Sequence, residues 1–503
     1  MPTPRRLFAL LISLSTALAA LAQPAPADTT AGEKISLSDA IQRALAKNYS
    51  IKVSGYDAAI AEAGVTQALG KFDPVLNGNY NFNSNVSPGY TDPNTGAISP
   101  LTNINTDTYS ASLDGLMPWG MNYQLGGTSA NTRGTFNAYA ANYSTFAGIS
   151  ATQPLLRNFG FGATLASIRI AQATRGISEW QFRQQVMDTI TNVIFAYNDL
   201  NFAYANRRSA IRSRDLAADL LSENEKRFKV GSMSEYDVTS ARSRVASREE
   251  GIFQAEHQVT VAENALKQYI MDTKTPGLLS QHIVIEPPPP APIVVVDASA
   301  DFHVALAKRP DYQQAKLGLK RDDINARLQR NQLLPRVDLV GSYGYNGSDS
   351  TFQGTRQQVQ NQDYRAYSWG VVVSVPLTFT TERGRYRAAR LQKQQSETQV
   401  DLVEQNIVIQ LGNAADQIET NQKRVQATRK ARDLAQATLD AEVKRLRAGQ
   451  SSTFFVSQQQ EILTAAEVFE ALAQSDYQKS LADYDRQLGV TLEKLNVNID
   501  PPK

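Results

Sequence analysis

The sequence is short of the groups that most chemistry needs. It has no cysteine in 503 residues, which excludes disulfides, thiolate metal sites, a cysteine nucleophile and an N-terminal lipid-bearing cysteine. Its three histidines, His257, His282 and His303, stand apart from one another, so no histidine-based metal centre is expected. Neither sign of charge dominates, with 51 Lys+Arg against 49 Asp+Glu, and the balance gives no electrostatic case for nucleic acid. Nucleotide and hydrolase motifs are incomplete. NFGFGATL from Asn158 lacks the third glycine of a dinucleotide loop, and Gly231-Ser232-Met233-Ser234 lacks the second glycine of a nucleophile elbow. We expect neither cofactor nor catalysis.

Long apolar runs are missing after the first 22 residues. MPTPRR is a short basic stretch, LFALLISLSTALAALA is apolar, and Ala20-Leu21-Ala22 has the small-x-small form cut before Gln23. Residues 1–22 therefore read as a signal peptide and 23–35 as an N-terminal linker. With no later membrane helix in the sequence, an exported chain meets a membrane again only as a β-barrel or peripherally.

What the chain has is repetition. ALAKNYS at Ala44–Ser50 returns as ALAKRPDY from Ala305, and Pro74 corresponds to Pro335 at the same offset of 261. ISATQPLL around Pro154 returns as VVVSVPLT around Pro376, and RFKVGSMSEYDV from Arg227 returns as RLRAGQSSTFFV from Arg445. A first repeat at 36–272 and a second at 299–490 follow, joined by a connector at 273–298 whose proline run is stiff extended chain, with a tail at 491–503.

Each half is expected to run helix, strands, long helix, turn, helix. The first helices span Ser36–Lys71 and Ser299–Leu334, with Ser36, Ser38 and Asp39 as caps and a proline as stop. The strand regions, about 74–153 and 336–376, alternate with period two. Leu76, Tyr80 and Phe82 oppose a row of asparagines, and Tyr367, Trp369, Val371 and Val373 oppose Ser368, Gly370 and Ser374. On the strands alone, a membrane wall and a soluble sandwich read alike. The helices separate them. Gly162–Val230 and Gly384–Ala448 contain no proline and reach about 100 Å each. Phe182, Val186, Ile190, Val193, Tyr197, Leu200 and Tyr204 form a near-heptad seam, and Ile407, Leu411, Ala414, Ile418 and Val425 another, which means coiled-coil packing. Return helices are expected at Ser234–Met271 and Thr453–Gly489.

The two halves differ by 39 residues between their prolines, since Pro74 to Pro154 is 80 and Pro335 to Pro376 is 41. The surplus has its own period. Tyr109, Ala111 and Leu113 alternate with Ser110, Ser112 and Asp114. Pro118-Trp119-Gly120 makes a tight turn, and Met121, Tyr123 and Leu125 alternate with Asn122 and Gln124. We expect an added hairpin with strands of about ten residues, flanked by external loops at Ser87–Asn105 and Asn131–Asn142. The first half then has four strands and the second two. The competing arrangement folds this hairpin outside the wall.

From Ser36 to Val490 this pattern resembles the TolC-like outer-membrane efflux protein family. The most specific element is the turn R-x-x-x-G-x-x-x-x-x-D-V, present as Arg227, Gly231, Asp237 and Val238 and partly repeated as Arg445, Gly449 and Val456. TQPLLRNFG at Thr152–Gly160 also looks like family members. The resemblance implies an α+β membrane protein, a trimeric β-barrel continued by a long α-helical coiled-coil tunnel. It implies a passive exit duct for efflux or type I secretion in the outer membrane of a Gram-negative cell. The partners it implies are a homotrimer's other copies, a periplasmic adaptor protein, an inner-membrane pump and outer-membrane lipid. Six strands per chain would make eighteen per trimer, where four per chain is usual in the family. The tips, about 227–238 and 445–456, would close the periplasmic end and dock the adaptor through Arg227, Gly231, Tyr236, Asp237, Arg445, Gly449, Phe454, Phe455 and Gln458. Gly231 and Gly449 suit a sharp reversal, while Ser232, Ser234, Ser451, Ser452 and Thr453 are candidate caps of the returning helices. Asp237 is either a helix-start acid or a gate contact to a neighbouring tip. Its equivalent in the second repeat is Phe455, followed by Gln458, so an apolar constriction competes with an acidic ring. An exported trimeric coiled-coil stalk or adhesin is the alternative function.

Overall fold

The structure, a computed structural model, describes residues 33–272 and 274–498; the expected signal peptide and most of the linker after it lie outside the described residues. The first half runs β1 (Glu33–Ile35), α1 (Leu37–Lys47), α2 (Tyr49–Leu69), then β2 (Val75–Ser87), a short ribbon of β3 (Tyr90–Thr91) and β4 (Ile98–Ser99), β5 (Thr102–Leu116), β6 (Asn122–Gly134) and β7 (Tyr143–Pro154). It continues with α3 (Gly160–Thr164), α4 (Ala166–Lys229) and α5 (Glu235–Ile270). After β8 (Ile283–Ile285), the second half runs α6 (Ala298–Lys308), α7 (Pro310–Asn331), β9 (Arg336–Asp349), α8 (Phe352–Asn361), β10 (Tyr364–Ser374), α9 (Thr380–Arg447), α10 (Thr453–Leu488) and α11 (Thr491–Lys494). With 64 and 68 residues, α4 and α9 are about 100 Å long.

The first helix of each half is not continuous, and the repeated ALAK sequence marks the break. At Asn48 the backbone turns extended (φ −61°, ψ 127°) and the side chain accepts from Ser50 N at 2.8 Å and Ile51 N at 3.3 Å, restarting the helix. At Arg309 the same conformation (φ −64°, ψ 125°) precedes Pro310, whose ring forbids helical backbone in the residue before it. A periodicity argument reads across such a break because both pieces bury the same side. The connector is anchored along its length. Its β8 pairs in parallel with β1, Ile35 opposite Ile285, and tyrosines of the long helices hold it. Tyr197 donates to the carbonyls of Ile35 (3.1 Å) and Glu286 (2.6 Å), Tyr204 to that of Ile283 (2.7 Å) and Tyr477 to that of Pro292 (2.7 Å). Prolines donate no N–H, yet their carbonyls still need partners. In the tail, α11 follows α10 after a turn at Gly489, and Val497 packs against the first core cluster.

Burial is distributed along the helices. One cluster joins Phe182, Val186, Ile190, Val193, Tyr197 and Leu200 to α1, α2 and α5; a second joins Ile407, Leu411, Ala414 and Ile418 to α6 and α10; a third, near the tips, joins Leu220, Leu439, Leu446, Val456 and Leu463. Both expected seams lie inside these clusters, with Tyr204 and Val425 at their margins.

Candidate functional site

Six strands form one antiparallel sheet in the order β10-β9-β7-β6-β5-β2. The surplus residues of the first half supply β5 and β6, which lie within the sheet between β2 and β7, joined by the Pro118-Trp119-Gly120 turn closed by Gly120 N to Met117 O at 2.8 Å. At 15 and 13 residues these strands run well into the stretches expected to be external loops. The register makes the two faces chemically distinct. One row across all six strands reads Leu76, Leu113, Leu125, Ile149, Tyr343, Tyr367; the adjacent row, on the other face, reads Asn77, Ser112, Gly126, Gly148, Gly344, Ala366. Tyrosines gather above the aliphatic rows, with Tyr80 and Tyr109 rings 4.9 Å apart and Tyr343 and Tyr345 rings 5.8 Å apart. An outward apolar band edged by aromatics is what a lipid-facing wall requires.

The polar face is the concave one. A Cβ added at Gly126, Gly148 or Gly344 would come under 3.0 Å from backbone of the neighbouring strand. On the apolar face Gly78 has open space around it and Gly341 has its nearest neighbour at 3.7 Å, Gly127 being tighter at 2.8 Å. Glycine on the inside of a bend lets adjacent strands close up, and the Phe146 ring lies against Gly148 and Gly344. The sequence pattern shows these glycines but not that they fall in one row. Also absent from the sequence reading is α8, which lies on the apolar side at the outer end. Thr145 Oγ1 donates to Thr355 Oγ1 at 3.0 Å, and the Phe352 ring sits 6.1 Å from that of Tyr143.

The helices pack side by side in the order α2, α4, α7, α9 beneath the sheet and α5, α4, α10, α9 farther away. The chain is thus a long strip with two free edges. β2 and α2 run along one edge and β10 and α9 along the other. Both edges expose apolar seams at coiled-coil spacing. On α2 these are Tyr49, Val53, Tyr56 and Ile60, up to 68% exposed; on α9 they are Leu391, Leu402 and Ile409. Edge strands β2 and β10 carry 13 and 11 residues, and such edges demand pairing. Sequence reasoning found the buried seams and missed the exposed ones, whose separate role is visible only once the buried faces are known.

The tips show why the repeated turn has its spacing. Ser232 N bonds to Arg227 O (2.9 Å) and Gly231 N to Phe228 O (2.9 Å), with Gly231 at φ +79°. Gln450, Arg445, Gly449 and Leu446 repeat this geometry, with Gly449 at φ +74°. This helix-ending motif sets arginine and glycine four residues apart, with the basic side chain in the negatively polarised last turn. Glu223 accepts from Arg227 at 3.0 Å and Glu442 from Arg445 at 3.2 Å. Three residues after each glycine stands the cap position of the return helix, Ser234 and Ser452. Ser234 caps α5, accepting from Asp237 N at 3.2 Å while the Asp237 carboxylate accepts from Ser234 N at 3.3 Å. Asp237 therefore performs the helix-start role within its own chain. In the second tip Phe455 occupies that place, and Ser452 makes no side-chain cap bond. Ser451 donates to Glu442 instead, so the expected serine caps are absent there. Phe454 and Phe455 stand edge to face with centroids 5.6 Å apart, and both are exposed, as are Tyr236 and Gln458. Phe454 also meets Arg244, whose guanidinium carbon lies 5.6 Å from the ring centroid across a cleft shared with Tyr236 and Asp237. Arg244, which the sequence did not single out, thus ties the two hairpins together.

A sheet apolar on one face and polar on the other, mounted on helices of about 100 Å, is the architecture of an outer-membrane channel subunit. Among solved structures, the chain is similar to the CmeC outer membrane channel of Campylobacter jejuni (TM-score 0.66, 15% identity, 90% of this chain and 86% of that one). It is equally similar to the outer membrane protein VceC of Vibrio cholerae (TM-score 0.66, 16% identity, 90% and 96%). The Outer membrane efflux protein BepC of Brucella suis is 25% identical over 368 residues, covering 72% of this chain and 75% of that protein. The model of the family described as Outer membrane efflux protein matches residues 40–270 and 302–490, and the chain belongs to that family. It is an efflux channel of the Gram-negative outer membrane, with its helices on the periplasmic side.

Proposed function

We propose that three copies close edge to edge into one duct, the β10 edge of each meeting the β2 edge of the next and each α9 meeting the next α2. The observation that carries this is the strip itself, whose strand edges and apolar helix edges run along the same two sides. One sheet of six strands cannot close alone, and its unpaired backbone is costly in lipid. The duct is passive and catalyses nothing; an inner-membrane pump drives cargo, and a periplasmic adaptor docks on the tips around Arg227, Gly231, Tyr236, Asp237, Arg445, Gly449, Phe454, Phe455 and Gln458. The Phe454/Phe455 pair in place of a second acid favours an apolar constriction over an acidic ring. A stalk or adhesin without transport would leave the two-faced wall without a purpose.

The test is the state of the protein extracted from outer membranes. A detergent-solubilised trimer that resists heat, and falls apart when Tyr56→Glu and Ile60→Glu are combined, is expected. A stable monomer soluble without detergent would overturn the proposal.

A further inference from the structure

We infer that the lipid-facing side of the wall binds, at its outer end, the phosphorylated sugar headgroup of the outer-leaflet glycolipid, with Arg133, Arg356 and Arg365 as the cations of the site. This site goes beyond the duct proposed above and depends on the wall's orientation in the membrane, not on the number of copies that close it. Its basis is where charge stands on the apolar face. On the side that carries Leu76, Leu113, Leu125, Ile149, Tyr343 and Tyr367, the six strands hold four charged residues, Asp107, Arg133, Asp349 and Arg365. Counted from the periplasmic strand ends Leu116, Ser374 and Asn122, Asp107 and Arg365 stand nine residues up and Arg133 eleven. At about 3.4 Å per residue and a tilt of about 40° this is roughly 23–29 Å, the far boundary of an apolar band about 25 Å tall. Asp349 ends β9 at the same outer end. The periplasmic end of this side has no charge. A lipid-facing wall tolerates charge only near its boundaries, and here a single boundary has it, the one that meets the outer leaflet.

Both carboxylates of this set are already held. Asp107 is 8% exposed and accepts from Arg133 Nη2 at 2.5 Å and from the Tyr80 hydroxyl at 2.9 Å. Asp349 accepts from Thr351 N at 2.9 Å and from Thr351 Oγ1 at 3.0 Å. The arginines keep donors to spare. Arg133 Nε is buried without a partner, as are the side-chain oxygens of Asn103 and of Asn105, which stands opposite Arg133. Arg365 is exposed, its guanidinium carbon 5.5 Å from the Tyr367 ring centroid. Arg356 is exposed on α8, and among the described residues neither it nor Arg365 makes an ion pair. α8 lies on the lipid side with Thr355 against Gly347, and beyond Phe352 its exposed side chains are Gln353, Arg356, Gln357, Gln360 and Asn361. A helix with so polar an outer face sits among headgroups, above the acyl chains. Guanidinium forks match phosphate oxygens, and the amides of Asn103, Asn105 and α8 match sugar hydroxyls. Asp363, exposed just before β10, opposes such a ligand.

The test is native mass spectrometry of the protein extracted from outer membranes, titrated with bis-phosphorylated lipid A or with the same lipid stripped of its phosphates. The stripped lipid should bind at least about tenfold more weakly, since it offers the arginines no charge. Arg356→Gln combined with Arg365→Gln, which breaks no ion pair, should weaken binding of the phosphorylated lipid about 25-fold, at roughly fivefold per cation. Asp363→Asn should tighten it about fivefold. Equal binding of the two lipids, or unchanged binding in the double variant, would overturn the inference. The same spectra count the copies. Phosphorylated lipid held by a monomer would overturn the duct alone, and a trimer indifferent to phosphate would overturn this site alone.

Discussion

At the scale of single residues, the tip glycines and the acid between them make separable contributions. Gly231 has no atom within 4 Å of an added Cβ, so only its backbone conformation, φ +79°, resists substitution. Gly231→Ala should therefore cost about 1 kcal/mol locally. Gly231→Pro should do more, because proline cannot take positive φ and removes the N–H bonded to Phe228 O. We expect Gly231→Pro and Asp237→Arg to alter adaptor docking or channel opening while trimers still assemble. Efflux and conductance unchanged in both would confine Asp237 to its capping role. Multivalent cations should block weakly, because Phe455 and Gln458 offer no charge, and blockade titrations in planar bilayers measure this. Tyr197 makes a different prediction. Burial pushes its hydroxyl up to about 12, so the protonated form is favoured in the folded chain. Its contribution is fully present below about pH 10 and is lost as pH rises towards 12. Hydrogen exchange of β1 and β8 should accelerate over that window, and Tyr197→Phe should loosen them at neutral pH by about 1–2 kcal/mol, since the Glu286 carbonyl loses its tyrosine donor while that of Ile35 keeps Glu286 N.

At the scale of elements, β5 and β6 turn an insertion into wall. Labelling along Tyr109–Leu125 should alternate, with cysteines replacing Ser110, Ser112 and Gln124 reacting from the lumen and those replacing Tyr109, Ala111 and Leu125 protected by lipid. Trp119 should lie near the periplasmic boundary. Uniform reactivity from outside the cell would place the hairpin beyond the wall, against the pairing of β5 with β2 and of β6 with β7. The tip helices show the same economy of form. Both hairpins end their descending helix with one motif, yet only the first restarts with a capping box, since the third helical residue is aspartate in one and phenylalanine in the other. The second tip is accordingly the weaker helix start by about 1 kcal/mol, and Phe455→Asp should stiffen it, visible as slower hydrogen exchange at Thr453–Ser457.

For the whole molecule, a strip with complementary edges explains how so little central core supports so long a protein. Each helix pair buries a narrow seam, and the remaining apolar surface waits at the edges. In the trimeric duct we propose, stability of the chain is inseparable from assembly. Dilution in detergent should lower the unfolding temperature together with the trimer fraction, measured by circular dichroism alongside native mass spectrometry.

Much of this was legible in the sequence because periodicity is local. Heptad seams, two-residue alternation, the duplicated turn and the 39-residue surplus all follow from spacing along the chain, and spacing alone fixes which side chains share a face. Asp237 and Phe455 could likewise be paired by counting from their glycines. Tertiary structure decided the rest. The breaks at Asn48 and Arg309, the tyrosines holding the connector and the Arg244–Phe454 contact each depend on neighbours far away in sequence. So does the place of the added hairpin, between β2 and β7 rather than outside them. A strand's pattern states that one face is apolar; which strand it pairs with, and which face becomes concave, is set by backbone partners and by glycines on other strands.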